Sequence, residues 1–239
     1  MSHKPPKGRP LAGASRIESA RTGPQIPLFA VAVGVLVLVL VAAGIVIAVG
    51  GGDDGSDGGT LAPGDQAFGP VTATGNPLPE YDDQAAEDPA VGLPAPELVG
   101  ETPSGEPITI DPSEGPMVVV FLAHWCPHCQ AEVPRIVELA DDQAEIAGVP
   151  FVAVLTGSDP NVENFPPGEW LAREGWPAGA MVDTEPEPGQ VPVALSAYGL
   201  SGYPFLVGID AEGNVAARSS GELGEDGLQD FFAQLAPPG

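Results

Sequence analysis

Hydrophobic residues are distributed very unevenly along the chain. From Pro27 to Val49 the residues are almost all Val, Leu, Ala, Ile and Gly, and none is charged. These 23 residues would form a helix about 34 Å long, enough to cross a hydrocarbon core of about 30 Å. A buried helix of a globular domain is rarely apolar on every face over such a length. We therefore predict a transmembrane anchor at residues 26–49.

Charged residues are segregated on the two sides of this run. Five of the 8 Lys and Arg residues precede residue 26, whereas 32 of the 33 acidic residues follow the run. This asymmetry predicts that a basic tail at residues 1–25 lies in the cytoplasm and that the remainder is extracytoplasmic. A cleaved signal peptide is the alternative, but its apolar region would span only about 7–15 residues.

The part of the chain that follows the run is strongly acidic. It carries three Lys or Arg against 32 Asp or Glu, a formal charge of −29, within a chain whose net charge is −25. Such a surface repels phosphates and argues against nucleic-acid binding. Residues 50–90 are rich in Gly, Asp and Pro, and we predict a flexible acidic linker there. A short strand near 71–74 is the alternative that we do not favour.

Residues 91–237 have the patterns of one folded domain. Met117–Ala123 and Phe151–Thr156 are continuous apolar runs, typical of strands buried on both faces. Between them, apolar residues recur with helical spacing from Val133 to Ala144, so a right-handed βαβ unit is expected. The fold class predicted is α/β, a mixed sheet flanked by helices. Later elements are predicted as a short helix within 164–175, a strand at Ala180–Asp183, a helical turn at Ser196–Leu200, a hairpin of Phe205–Ile209 with Val215–Ser219, and a terminal helix carrying Leu228, Phe231, Phe232 and Leu235 on one face.

The chain has two cysteines, Cys126 and Cys129, placed where the first buried strand ends. A C-x-x-C pair on the first turn of a helix suits a disulfide that opens and closes, since it closes almost no loop of the unfolded chain. A structural zinc site would need four Cys or His ligands, and His124 and His128 lie too close in sequence for an unstrained site. A c-type haem would need histidine at position 130, which is Gln. Two inert buried thiols remain a further alternative.

Three motifs together resemble the thioredoxin fold, specifically the membrane-anchored TlpA/ResA-like thiol–disulfide oxidoreductases. They are Trp125-Cys126-Pro127-His128-Cys129 after a buried strand, Pro134 five residues later, and Gly202-Tyr203-Pro204 before the last hairpin. The resemblance covers about residues 91–237. It implies that Pro134 lies within a helix instead of ending it, and that the bond between Tyr203 and Pro204 is cis and faces the cysteines.

The resemblance also implies roles for the residues of the motif. Cys126 is the attacking residue, because the N-terminus of a helix favours its thiolate. Cys129 is expected to be less exposed and to act as the resolving thiol. The residues flanking Pro204 would pair with a substrate chain in β fashion. Trp125 would form an apolar platform beside the sulfurs, with a simple core position as the alternative.

The direction of electron flow is not decided by these motifs. The sequence Cys-Pro-His-Cys also occurs in the strongly oxidising DsbA proteins, in which the histidine can stabilise the reduced form. The anchor and the remaining resemblance favour reduction. His128 could alternatively be an exposed helix residue. No cofactor is expected, so the partners would be exported protein thiols or disulfides and a membrane redox partner that resets the dithiol.

The chain differs from the sequence motifs of thioredoxins, peroxiredoxins and Sco-type copper chaperones at specific positions. Thioredoxins carry a buried acid six residues before the first cysteine, where this chain has Val120. Glu132 lies nearby in sequence but is expected to face solvent, so no general base is assigned. A peroxiredoxin would need Thr or Ser at Ala123, and a Sco-type copper chaperone would need C-x-x-x-C. A tethered module that holds a client without turnover is the remaining alternative.

Overall fold

A computed structural model describes residues 71–141 and 143–236. The strands are β1 (Thr72–Thr74), β2 (Glu97–Glu101), β3 (Pro107–Ile110), β4 (Met117–Leu122), β5 (Glu145–Ile146), β6 (Val149–Thr156), β7 (Ala180–Asp183), β8 (Phe205–Ile209) and β9 (Val215–Ser220). The helices are α1 (Pro127–Leu139), α2 (Pro167–Arg173), α3 (Val193–Tyr198) and α4 (Gly224–Ala233), and a 3-10 turn covers Pro112–Glu114.

The strands form one mixed sheet in the order β1-β2-β7-β6-β4-β8-β9, with β3 paired to β2 and β5 to β6. The central strand β4 is parallel to β6, with Val118 opposite Phe151. On its other side β4 is antiparallel to β8, and β8 is antiparallel to β9. The predicted βαβ unit, hairpin and mixed α/β sheet are therefore confirmed.

Alternating side chains of β4 supply the two layers of the core. Val118, Val120 and Leu122 contribute to the cluster that contains α1 and α4. Val119 and Phe121 contribute to the opposite cluster, which contains α3. This alternation follows from the two-residue period of a strand, and it explains why β4 is apolar at every position.

The linker prediction is wrong for residues 71–90, which are part of the folded unit. β1 pairs with β2 in antiparallel register, with Thr72 opposite Val99, and Leu78 and Ala90 are buried. The alternative of a short strand near 71–74 is therefore correct. It was not favoured because β1 is only three residues long and its apolar contacts are widely spaced along the chain. Asp88 helps to hold the segment, since it forms an ion pair with the buried guanidinium of Arg218.

The predicted cytoplasmic tail, the anchor at 26–49 and the first part of the linker lie outside the described residues. Within residues 71–141 and 143–236, no helix has both the length and the apolar character needed to span a membrane. The domain start predicted at residue 91 is preceded by β1, whereas the predicted end at residue 237 falls just beyond the described part.

Candidate active site

Cys126 lies at the junction of the central strand and the first helix. The chain leaves β4 at Leu122, and Cys126 is the N-cap residue of α1, with Pro127 in the first turn. Proline suits this position because its fixed φ matches a helix and its missing N–H has no partner to lose there. The Cys126 side chain does not cap the helix. Its thiol instead points at the main-chain oxygen of Tyr203, at an S···O distance of 3.7 Å.

Cys129 lies one turn further along α1 and is fully buried, whereas Cys126 keeps 6% of its surface exposed. The N–H of Ala123 donates to the Cys129 sulfur at 3.5 Å. Burial raises the pKa of the Cys129 thiol well above its usual range, against the effect of the Ala123 N–H, and the charges of Cys126 and Glu132 raise it further. Both thiols are free. The expectation that Cys129 is less exposed than Cys126 is confirmed, although both side chains are buried.

Trp125 and the Tyr203–Pro204 segment form the rim around Cys126. The peptide bond between Tyr203 and Pro204 is cis, as predicted. The indole N–H of Trp125 donates to the carbonyl of Gly157 at 2.6 Å. Its ring meets Tyr203 edge-on, with centroids 5.9 Å apart. Trp125 is 39% exposed, so the alternative of a simple core position is wrong.

A buried polar chain runs beneath Tyr203, and the sequence analysis did not predict it. Burial raises the pKa of Tyr203 to about 12, opposed by a hydrogen bond between its hydroxyl and Thr156. The Thr156 hydroxyl donates to the carboxylate of Asp183 at 2.9 Å. Asp183 also accepts the N–H groups of Ala194 and Leu195 at the start of α3. The sequence feature that could have indicated this arrangement is Asp183, an acidic residue at the end of a predicted strand.

His128 is exposed on α1, and the side-chain hydrogen bond that it makes is to Glu222. Its Nδ1 atom lies 2.6 Å from a carboxylate oxygen of Glu222, and its side chain is 66% exposed. The other oxygen of Glu222 accepts from Arg135 at 2.8 Å. The interpretation of His128 as an exposed helix residue therefore describes its position better, although it belongs to a network of charges on the surface of α1.

Glu132 is completely buried, so the expectation that it faces solvent is wrong. Its carboxylate accepts from Arg135 at 2.8 Å and from the N–H groups of Leu223 and Gly224 at 2.7 and 3.3 Å. The physical reason is helical spacing, since Glu132 lies three residues after the buried Cys129 and shares its face of α1. That spacing was visible in the sequence and could have identified the residue.

His124, which the sequence analysis considered only as a candidate zinc ligand, is also completely buried. Its ring Nε2 accepts the N–H of Asp159 at 3.2 Å. Nε2 therefore carries no proton, and Nδ1 donates to the carbonyl of Glu163 at 2.9 Å. The main-chain oxygen of His124 accepts from the side chain of Gln130 at 2.9 Å. His124 thus joins the loop before Cys126 to the segment that follows β6.

The residues present do not fit the zinc alternative. His124 uses both ring nitrogens for main-chain groups, and His128 is bonded to Glu222. In residues 71–141 and 143–236, no group of three or more Cys, His, Asp or Glu side chains is arranged to hold a metal ion.

The active-site motif resembles those of known redox proteins. Comparison of the whole sequence with protein-family models extends the similarity beyond the motif to most of the folded domain. The family model described as Redoxin matches residues 90–235. No curated protein matches the chain. A thioredoxin-family thiol:disulfide interchange protein from Chlorobium tepidum TLS is 25% identical, with a TM-score of 0.47 over 60% of this chain and 96% of that chain.

Two further solved structures are similar at lower identity. The thioredoxin domain of a thiol-disulfide oxidoreductase from Bacteroides vulgatus is 19% identical, with a TM-score of 0.49 over 62% of this chain and 99% of that one. StoA from Bacillus subtilis is 19% identical, with a TM-score of 0.45 over 60% and 98% of the two chains. The Redoxin match covers more than half of the chain and includes Cys126, Cys129 and Pro204. The chain belongs to the Redoxin family, and with its two free thiols on one turn of α1 it is a thiol–disulfide oxidoreductase.

Proposed function

We propose that the protein is a membrane-anchored, extracytoplasmic enzyme that exchanges the Cys126–Cys129 dithiol or disulfide with cysteines of exported proteins. The observation that carries the proposal is the different exposure of two free thiols on the first turn of α1. One thiol can meet a substrate beside Tyr203 and Pro204, whereas the other can meet only its neighbour.

The exchange runs in two steps. In the first, the Cys126 thiolate attacks one sulfur of a substrate disulfide, that S–S bond breaks, and the departing substrate sulfur takes a proton from water. In the second, Cys129 loses its proton and attacks the sulfur of Cys126. The intermolecular bond breaks, the second substrate thiol leaves, and an intramolecular disulfide remains. Two electrons and two protons have then moved to the substrate.

The direction we propose is reduction of substrate disulfides. A histidine that stabilises the Cys126 thiolate would favour the reduced protein and make its disulfide a stronger oxidant. Here the Nδ1 atom of His128 lies 2.6 Å from a carboxylate oxygen of Glu222, so that ring nitrogen is bonded to a carboxylate instead of the thiolate, which favours the reducing direction. The predicted anchor at 26–49 would hold the enzyme near a membrane partner that returns Cys126 and Cys129 to the dithiol form without a bound cofactor.

The reduction potential of the full-length chain, equilibrated in glutathione buffers, tests the direction. A value near about −270 mV or lower would support a reductase, and a value near about −120 mV would establish the opposite direction. Turnover of a disulfide peptide under multiple cycles separates the enzyme from the alternative of a tethered client-binding module. The module would bind the peptide without converting it, and that result would overturn the proposal.

A further inference from the structure

An open depression lies next to Trp125, the residue that precedes the reacting Cys126. Trp125, Asp159, Val162 and Glu163 line it, and its volume is about 700 Å³. Trp125 and Val162 are each 39% exposed and supply its apolar wall. The depression borders the active site because Trp125 precedes Cys126 in the chain and its ring contacts Tyr203, whose carbonyl receives the Cys126 thiol.

Two acidic residues stand at the rim of this depression, and the active-site loop holds both in place. The N–H of Asp159 donates to His124, and the carbonyl of Glu163 accepts from the same ring. One buried histidine therefore fixes the main chain of both acids relative to Trp125. Backbone and side-chain N–H groups of Asn161 hold the pKa of Asp159 below its usual range, so this group is charged at neutral pH.

Two of the three arginines in residues 71–141 and 143–236 are paired with carboxylates elsewhere, namely Arg135 and Arg218. Arg173 donates to the amide oxygen of Asn164, the residue after Glu163, so its charge offsets part of the negative charge here. The two acids still outnumber this one cation. The rim therefore combines an exposed apolar wall with a net negative charge, which attracts cationic groups and raises their local concentration.

We propose that this depression selects client segments that carry Lys or Arg together with an apolar residue next to the reacting cysteine. This selection rests on the function proposed above. The aliphatic or aromatic residue of the client contacts Trp125 and Val162. Its ammonium or guanidinium group approaches Asp159 and Glu163. The exchange step itself is unchanged, so the depression determines which disulfides reach Cys126 efficiently.

Two disulfide peptides of identical length test this selection, one with Leu and Lys flanking the cysteine and one with Leu and Glu. The kcat/KM of the full-length reduced chain is measured for both at low ionic strength. An exposed pair of opposite charges typically changes an equilibrium by a factor of roughly 1.5 to 5, so two pairs predict a preference of about twofold to twenty-five-fold for the Lys peptide. Salt of about 1 M should largely remove it, because the Debye length falls to about 3 Å.

The double variant Asp159→Asn, Glu163→Gln should reduce the ratio to about one. Asn keeps an oxygen for the turn with Asn161, so folding is preserved. Glu169→Gln is the matched control, since Glu169 is exposed on α2 and does not line the depression. Its ratio should equal that of the wild type. A third variant, Val162→Ser, should lower kcat/KM for both peptides through the loss of apolar contact.

The outcomes separate the two proposals. Equal turnover of both peptides by the wild type would overturn the selection while leaving the exchange activity intact. No turnover of either peptide would overturn the proposed function itself.

Discussion

The Sγ atom of Cys126 lies 3.7 Å from the main-chain oxygen of Tyr203, the residue that precedes Pro204. The two residues are 77 positions apart in the chain, and the pairing of β4 with β8 brings them together. The N–H of Gly221 donates to the carbonyl of Pro204 at 2.8 Å and extends the β8–β9 pairing to this segment. The rigid sheet therefore fixes the position at which a substrate meets the thiol.

Gly157 leaves room for the Tyr203 side chain at the rim of the active site. Its φ is +61°, and a Cβ at this position would lie 2.8 Å from the Tyr203 hydroxyl. Gly157→Ala should therefore destabilise the protein and lower the exchange rate, because Tyr203 must move and the carbonyl that accepts from Trp125 shifts with it. We expect a loss of about 2 kcal/mol or more in the free energy of unfolding, measured by urea denaturation.

Gly148→Ala is the matched control for that prediction. Gly148 has a φ of +74°, and nothing lies within 4 Å of its Cβ position. This variant should cost only the backbone strain, about 1 kcal/mol, and should leave the exchange rate unchanged. Equal losses of stability and activity in the two variants would show that the contact with Tyr203 has no effect.

Asp183 should make stability depend on pH. Burial raises its pKa from an unfolded value near 3.8, so the folded state binds the proton more tightly than the unfolded chain. This contribution is fully present below about 3.8 and is lost as the pH rises through the folded-state pKa. Asp183→Asn removes the titration. The stability of the wild type relative to this variant should therefore fall as pH rises through that range, as measured by urea denaturation.

Asp111 provides a comparison of opposite sign for this measurement. The Ser113 N–H lowers the pKa of the exposed Asp111 carboxylate, so its contribution to stability appears as the pH rises above the folded-state pKa. The wild type should gain stability relative to Asp111→Asn over the same acid range. The same direction of change for both variants would contradict the burial argument for Asp183.

His124→Leu should destabilise the protein because it removes two partly buried hydrogen bonds made by a completely buried ring. The Asp159 N–H and the Glu163 carbonyl would lose the imidazole, and each such hydrogen bond contributes about 0.5–1.5 kcal/mol. His124→Asn keeps a short polar side chain able to donate, so it should recover part of the loss. Thermal unfolding of the two variants checks this order. Equal stability of the Leu variant and the wild type would contradict the role assigned to His124.

The α/β fold and the reacting pair could be predicted because their signals are local. β4, β6 and β8 are continuous apolar runs, and C-x-x-C directly follows one of them. The strand β1 was considered only as the less favoured alternative near 71–74, since its three residues are held by pairing with β2, which comes more than 20 positions later in the chain. A short segment stabilised in this way has no periodicity of its own.

The charged surroundings of the site were only partly visible in the sequence. The spacing of Glu132 from Cys129 predicts that it lies on the buried face of α1. Its charge instead suggested that the side chain is exposed to solvent. Its partners Leu223 and Gly224 come from the end of the chain. The bond from His128 to Glu222 spans 94 residues. No local pattern indicates such pairs, because they depend on how the loop between β9 and α4 packs against α1.

Trapping of the mixed disulfide tests the central claim most directly. The full-length variants Cys129→Ser and Cys126→Ser are each incubated with a disulfide peptide, and adducts are located by mass spectrometry. We predict a stable adduct at Cys126 in the first variant, since the resolving thiol is missing. The second variant should form an adduct at least about a hundredfold more slowly, because Cys129 is fully buried and its pKa is raised. Comparable adduct formation at Cys129, or none at Cys126, would contradict the account.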